Sequence, residues 1–159
     1  MRVPTTTDRT TAGWREWVGL PGCDVEWIKA KLDTGARTSA IHAFDIHEFE
    51  RDGEMWVRYS IHPWQRSAED ATTVESRVHD RRIVRSSSGH STERYVVQMD
   101  VTLMGDTITT EMTLSSRDQM GFRLLVGREA LRQGFVVDPA RSYLGGKPKR
   151  AVRRRNRGR

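Results

Sequence analysis

The run Trp27-Ile28-Lys29-Ala30-Lys31-Leu32 leads without a break into Asp33-Thr34-Gly35-Ala36. Apolar and polar residues alternate with a period of two over 25–32, which predicts a half-buried strand. An acid placed directly after such a strand stands on a rigid base. Thr34 brings a hydroxyl that bonds locally within a turn, and Gly35 accepts backbone dihedrals that other residues resist. The tetrapeptide is therefore a device for presenting one carboxylate, Asp33, at a fixed point. Two such carboxylates about 3 Å apart cannot both ionise, so one keeps a proton and the pair holds an acid and a base at one spot. The chain has one Asp-Thr-Gly turn and no internal repeat that supplies another, so a pair needs a second copy of the chain.

The remaining pattern is strand-rich. Residues 14–20, 46–49, 55–61, 94–103, 107–114 and 135–137 read as strands, with a weaker signal over 74–84 that breaks around Asp80-Arg81-Arg82. Pro21-Gly22, Asp52-Gly53 and Gly105-Asp106 read as turns between them. Only 115–133 has helical character, most clearly at 128–133, with Gly134 placed as its cap. Many short strands with one short helix predict an all-β domain, a small barrel or sandwich.

Charge divides the chain into regions. The net charge is +6, yet Lys147 to Arg159 holds eight Lys or Arg and no acid, which leaves −2 for residues 1–146. A tail of that composition repels itself and is expected to be disordered, with a capacity to meet RNA or an acidic partner through charge alone. The polar stretch 1–12 is expected to be flexible, leaving 13–146 as the folded domain. No stretch reaches membrane-spanning length and the N-terminus lacks an apolar signal core, so a cytoplasmic protein without a membrane partner is the expectation.

Cys23 is the single cysteine, which excludes an internal disulfide and reads as a small structural residue. The five histidines, at 42, 47, 62, 79 and 90, show no His-Glu-x-x-His or comparable ligand spacing, so no metal ligands are assigned. His42 and His47, five apart, are the candidates that a zinc-dependent hydrolase would have to use. No Gly-x-x-x-x-Gly-Lys-Ser/Thr loop is present to cradle ATP, and no cofactor is expected. Trp14, Trp17, Trp27, Trp56 and Trp64 read as packing residues, and Arg85 flanks the small-residue loop Ser86-Ser87-Ser88-Gly89.

Late in the chain, Phe122-Arg123-Leu124-Leu125-Val126-Gly127-Arg128-Glu129-Ala130-Leu131 sets an apolar strand directly before a glycine and a short helix. Together with Asp33-Thr34-Gly35-Ala36 this resembles the retropepsin-like aspartic proteases. Lys31 to Ala40, Arg85 to Gly89, Arg117-Asp118-Gln119-Met120 and Leu125 to Arg128 are closest to a bacterial family of RimK-associated proteins named "ATP-dependent zinc protease". The resemblance spans about Glu26 to Leu144. It implies a small closed barrel of retropepsin type with one short C-terminal helix, working as a homodimer. Asp33 of each chain would be catalytic, Thr34, Gly35 and Ala36 would support the turn, and a flap hairpin would lie between Trp56 and Arg85. The substrate implied is a peptide or a glutamate-modified protein, through the family's association with an ATP-using ligase that adds glutamates to a ribosomal protein. One departure stands out. Arg37 occupies a place where viral retropepsins carry a small acidic or amide residue. A cation there opposes the sharing of one proton by the pair. Alternatively, Arg37 receives an acidic group of the substrate, as Arg85 could, or it forms a structural ion pair. The competing reading is a non-catalytic module of the same fold that binds an acidic partner or RNA.

Overall fold

The computed structural model describes residues 8–64, 70–85, 88–116 and 121–153, and of residues 84 and 85 the backbone only. Its strands are β1 (Thr10–Gly13), β2 (Arg15–Leu20), β3 (Val25–Leu32), β4 (Ser39–His42), β5 (Phe44–Arg51), β6 (Glu54–Ile61), β7 (Thr72–Arg77), β8 (Asp80–Arg85), β9 (Ser91–Leu103), β10 (Asp106–Ser115), β11 (Leu124–Val126) and β12 (Phe135–Asp138). Two single-turn helices, α1 (Arg128–Leu131) and α2 (Arg150–Arg153), complete the described chain. The class is all-β, as the alternation predicts.

Seven strands pair in the order β10-β4-β11-β3-β2-β9-β8, and β9 also pairs with β10. The first six therefore close into a ring, with β8 attached outside it. Inside sit Ile28, Leu32, Ile41, Val97, Val101, Leu103, Met112, Leu124 and Val126, each at most 4% exposed. Each such aliphatic side chain contributes about 1.5–3 kcal/mol on leaving water. The turns follow from local chemistry. Asp52-Gly53 and Met104-Gly105 each place two successive residues at positive φ, the geometry that closes a two-residue hairpin with the strands' own twist. Between Val18 and Leu20 the register of β2 on β3 shifts, a bulge at Gly19, where an added Cβ would sit 3.3 Å from the Glu26 carbonyl.

The remaining strands form two smaller sheets. β5, β6 and β7 make a three-stranded antiparallel sheet, and β1 pairs in parallel with β12. Two antiparallel pairs touch the stretch expected to hold a flap: β6–β7 lies within it, and β8–β9 begins there.

Four expectations need correction. The N-terminus orders earlier than residue 13: Thr10 to Gly13 bond to β12, and Ala12 is fully buried. Residues 115–133 are not one helical stretch, since Ser115 ends β10, β11 is a strand, and the helix is confined to Arg128–Leu131. Leu124 and Val126 are wholly buried and β11 pairs on both sides, with β3 and β4; this pairing overrides local helical preference. Asp80 to Arg82 are strand residues, and the break falls at Val78-His79. The basic segment is structured as far as Arg153, with Pro148 buried; residues 154–159 lie outside the described residues.

Candidate functional site

Asp33 follows the last residue of β3 and is fixed by backbone bonds before its side chain acts. Its amide donates to the Val126 carbonyl at 2.8 Å, which carries the β3–β11 pairing one residue into the turn. The Gly35 amide donates to Asp33 Oδ1 at 2.9 Å, and the Ala36 amide to the Asp33 carbonyl at 3.2 Å. A Cβ on Gly35 would lie 3.2 Å from Oδ1, so the glycine allows the amide to approach the acid. Asp33 is half-buried, while Thr34 and Gly35 are exposed. The turn thus offers one carboxylate with one oxygen engaged, at the surface of a single chain.

The segment after β11 clamps the turn from behind. The Arg128 amide donates to the Ala36 carbonyl at 2.7 Å and the Glu129 amide to the Arg37 carbonyl at 3.1 Å. The Arg128 guanidinium donates to the Thr34 carbonyl at 3.3 Å and the Gly35 carbonyl at 3.4 Å. Gly127 passes so close to the turn that an added Cβ would lie 2.6 Å from the Thr38 carbonyl carbon and 2.9 Å from the Ala36 oxygen. Its amide donates to the buried Ser39 Oγ at 3.0 Å. Ser39 and Glu129 were not singled out from the sequence. The acid in the first turn of a helix was the available signal for Glu129, and Ser39 offered none.

Arg37 lies beside this turn with its side chain 77% exposed, and its Nε donates to Glu129 Oε1 at 3.0 Å. The ion pair engages the cation that the sequence placed near the acid and ties the turn to α1. Arg85 ends β8 opposite Ser91, and its side chain is outside the described residues. Arg117 to Met120 also lie outside them.

The histidines named for a metal do not converge. His42 stacks with Phe44, and the Phe44 and His62 rings are 4.1 Å apart, while His47 is exposed on β5. Among the described residues no group of three or more His, Cys, Asp or Glu is arranged so that it could hold a metal ion. Burial pushes the Cys23 thiol up to about 11, so it stays protonated and a poor nucleophile near neutral pH.

Comparison with known proteins places this geometry among relatives. Residues 11–148 match the family model "RimB-like", described as retropepsin-like aspartic endopeptidase RimB. A Shewanella pealeana protein named probable alpha-L-glutamate ligase is 46% identical over 131 residues, 82% of this chain and 29% of that protein. A protein of the same name from Parasynechococcus marenigrum is 40% identical over 137 residues, 86% of this chain and 29% of its own length. The chain thus spans less than a third of these relatives. A crystal structure of a Legionella pneumophila protein of unknown function superposes with a TM-score of 0.73 at 26% identity, covering 86% of this chain and 98% of that one.

Proposed function

We propose, for a chain that belongs to the RimB-like family of retropepsin-like aspartic endopeptidases, that it is a peptidase whose active centre is a pair of Asp33 carboxylates in a homodimer. The observation that carries this reading is the Asp33 turn itself: one half-buried acid, held by the Gly35 amide and clamped through Gly127 and Arg128, on a turn whose Thr34 and Gly35 are exposed.

In the pair, the ionised carboxylate takes a proton from water as the water oxygen bonds to the peptide carbonyl carbon. The protonated carboxylate stabilises the carbonyl oxygen. As the tetrahedral intermediate collapses, the carbon–nitrogen bond breaks and a proton passes to the leaving nitrogen. Thr34, Gly35 and Ala36 hold the turn. Arg37, already paired with Glu129, supports the turn's outer edge, and its exposed remainder is placed to meet an acidic group of the substrate.

The substrate we propose is a peptide or a protein extended with glutamates. This draws support from relatives that join a matching region to a protein named as a glutamate ligase. The test is cleavage of a glutamate-extended protein by wild type and by Asp33→Asn at equal folded concentration. The expected result is loss of cleavage with an unchanged unfolding midpoint. Retained cleavage that a zinc chelator then abolishes would sink the dyad and favour the metal-dependent reading. Binding without cleavage, in wild type as in Asp33→Asn, would leave the non-catalytic module.

A further inference from the structure

The turn after β3 runs through three successive peptide units, and one residue holds the carbonyl of each. The Thr34 and Gly35 carbonyls accept from Arg128 Nη1 at 3.3 and 3.4 Å, and the Ala36 carbonyl accepts from the Arg128 amide at 2.7 Å. At their other ends, the first two units aim N–H groups at Asp33. The Thr34–Gly35 unit donates to Asp33 Oδ1 at 2.9 Å, and the Gly35–Ala36 unit donates to the Asp33 carbonyl at 3.2 Å. Asp33 and the Arg128 guanidinium therefore sit at opposite ends of the same two peptide planes.

A peptide group passes polarisation from one end to the other. A cation at its oxygen draws electron density toward that oxygen, which leaves the N–H more positive and a better donor. Hydrogen bonds with one ionised member are already about twice as strong as neutral ones. Across the Thr34–Gly35 unit both ends meet such groups: a guanidinium at the oxygen and, in the ionised member of the pair, a carboxylate at the N–H. Gly35 makes the aim of that N–H depend on these bonds. It does not take positive φ and has no side chain to pack, so the tilt of its peptide plane is set by what holds the two ends. Glu129, the next acid along, turns its carboxylate to Arg37 and leaves the Arg128 guanidinium to the carbonyls.

We propose that Arg128 is a positioning residue for the peptidase centre, acting on Asp33 through the Thr34–Gly35 peptide group without touching the acid. Its guanidinium fixes the tilt of that plane and strengthens the Gly35 N–H as a donor. Oδ1 is thereby held in place, and Oδ2 is left to meet water. The role in turnover rests on the reading of Asp33 as the reacting acid; the effect on the Gly35 hydrogen bond does not. A merely structural Arg128 would tie α1 to the turn through its amide, which it does whatever the side chain.

Two readouts separate these roles. In isotope-labelled full-length protein, the NMR resonance of the Gly35 amide proton reports the strength of its own hydrogen bond. Arg128→Met keeps the backbone bond and removes the cation, and the Gly35 proton is expected to move upfield. Arg128→Lys, the smaller change, restores a cation without the guanidinium and is expected to return it part of the way. Arg132→Met removes an exposed cation four residues on and is expected to leave the resonance in place. In cleavage of a glutamate-extended protein, Arg128→Met is expected to lower kcat about ten-fold with KM unchanged, and Arg128→Lys to recover part of the loss. A Gly35 resonance that stays put in Arg128→Met, or moves as far in Arg132→Met, overturns the proposal. A raised KM at unchanged kcat overturns it too, by placing the guanidinium on the substrate. If wild type cleaves nothing, the peptidase reading fails by itself, and the resonance still decides whether Arg128 acts on the Asp33 turn.

Discussion

Asp33 is held by groups that act over very different sequence distances, and this separates what could be read in advance from what could not. The Gly35 amide on Oδ1 is two residues away, so this contact is local to the tetrapeptide, but Gly35 does not take the positive φ expected of it and serves instead by its missing Cβ. Ser39 and Gly127 are 88 residues apart, and Arg37 and Glu129 are 92 apart; no local rule pairs them. Ser39 is nonetheless the buried acceptor that fixes Gly127 against the turn, being 1% exposed. Ser39→Ala leaves the Gly127 amide without its acceptor, at about 1–3 kcal/mol for a buried donor. The expected outcome is a melting temperature lower by several degrees, measured by scanning fluorimetry, with the proposed peptidase turnover reduced as the turn loosens. An unchanged midpoint would mean that the Gly127 amide finds another acceptor.

Elements whose apolar residues alternate, such as β3 and β9, could be read from their period, because one face of each is buried by the ring. β1 could not: it is four residues long, and its pairing with β12 comes from tertiary contact alone. β11 shows in the sequence as an apolar run before Gly127, but its pairing with β3 and β4 does not. β1 is secured through a buried acid on the neighbouring strand. Glu16 on β2 is fully buried and accepts the Gly13 amide at 2.7 Å, the Leu144 amide at 2.9 Å and the Gly145 amide at 3.0 Å. This one carboxylate fastens the stretch after β12 across the start of the chain. Glu16→Ala strands three amides, and a loss of about 3 kcal/mol or more is expected in urea unfolding, together with faster proteolysis near residues 141–145. Glu16→Gln keeps one acceptor oxygen and should lose less.

A second carboxylate joins strands at the surface. Glu111 on β10 accepts from Arg82 of β8 at 2.9 Å, and its partner Arg82 holds the Glu111 carboxyl below its usual value. A depressed carboxyl stabilises the fold above its unfolded value and loses that contribution as pH falls through its folded value. Glu111→Gln is therefore expected to be less stable than wild type near neutrality, by no more than about 1 kcal/mol for so exposed a pair. The two denaturation curves should converge in acid below the folded value, and a gap that persists there would assign the loss to packing.

At the scale of the whole molecule, one chain completes the fold but only half of the proposed centre. The ring, its core and the clamped turn are built from residues of one chain, whereas a dyad needs a second Asp33 brought close by a symmetric contact. Whether the centre is shared can be read without seeing the interface. Wild type and Asp33→Asn are mixed in equal amounts under conditions that let subunits exchange, and cleavage is compared with wild type alone at the same total concentration. If each chain works by itself, about half of the activity remains. If both carboxylates are required, random pairing leaves about a quarter of the dimers with two intact acids, and activity falls to about a quarter. As the variant is raised further, activity should follow the square of the wild-type fraction. A linear decline would place the whole reaction on one chain, and the exposed turn would then have to find its second catalytic group within the same ring of strands.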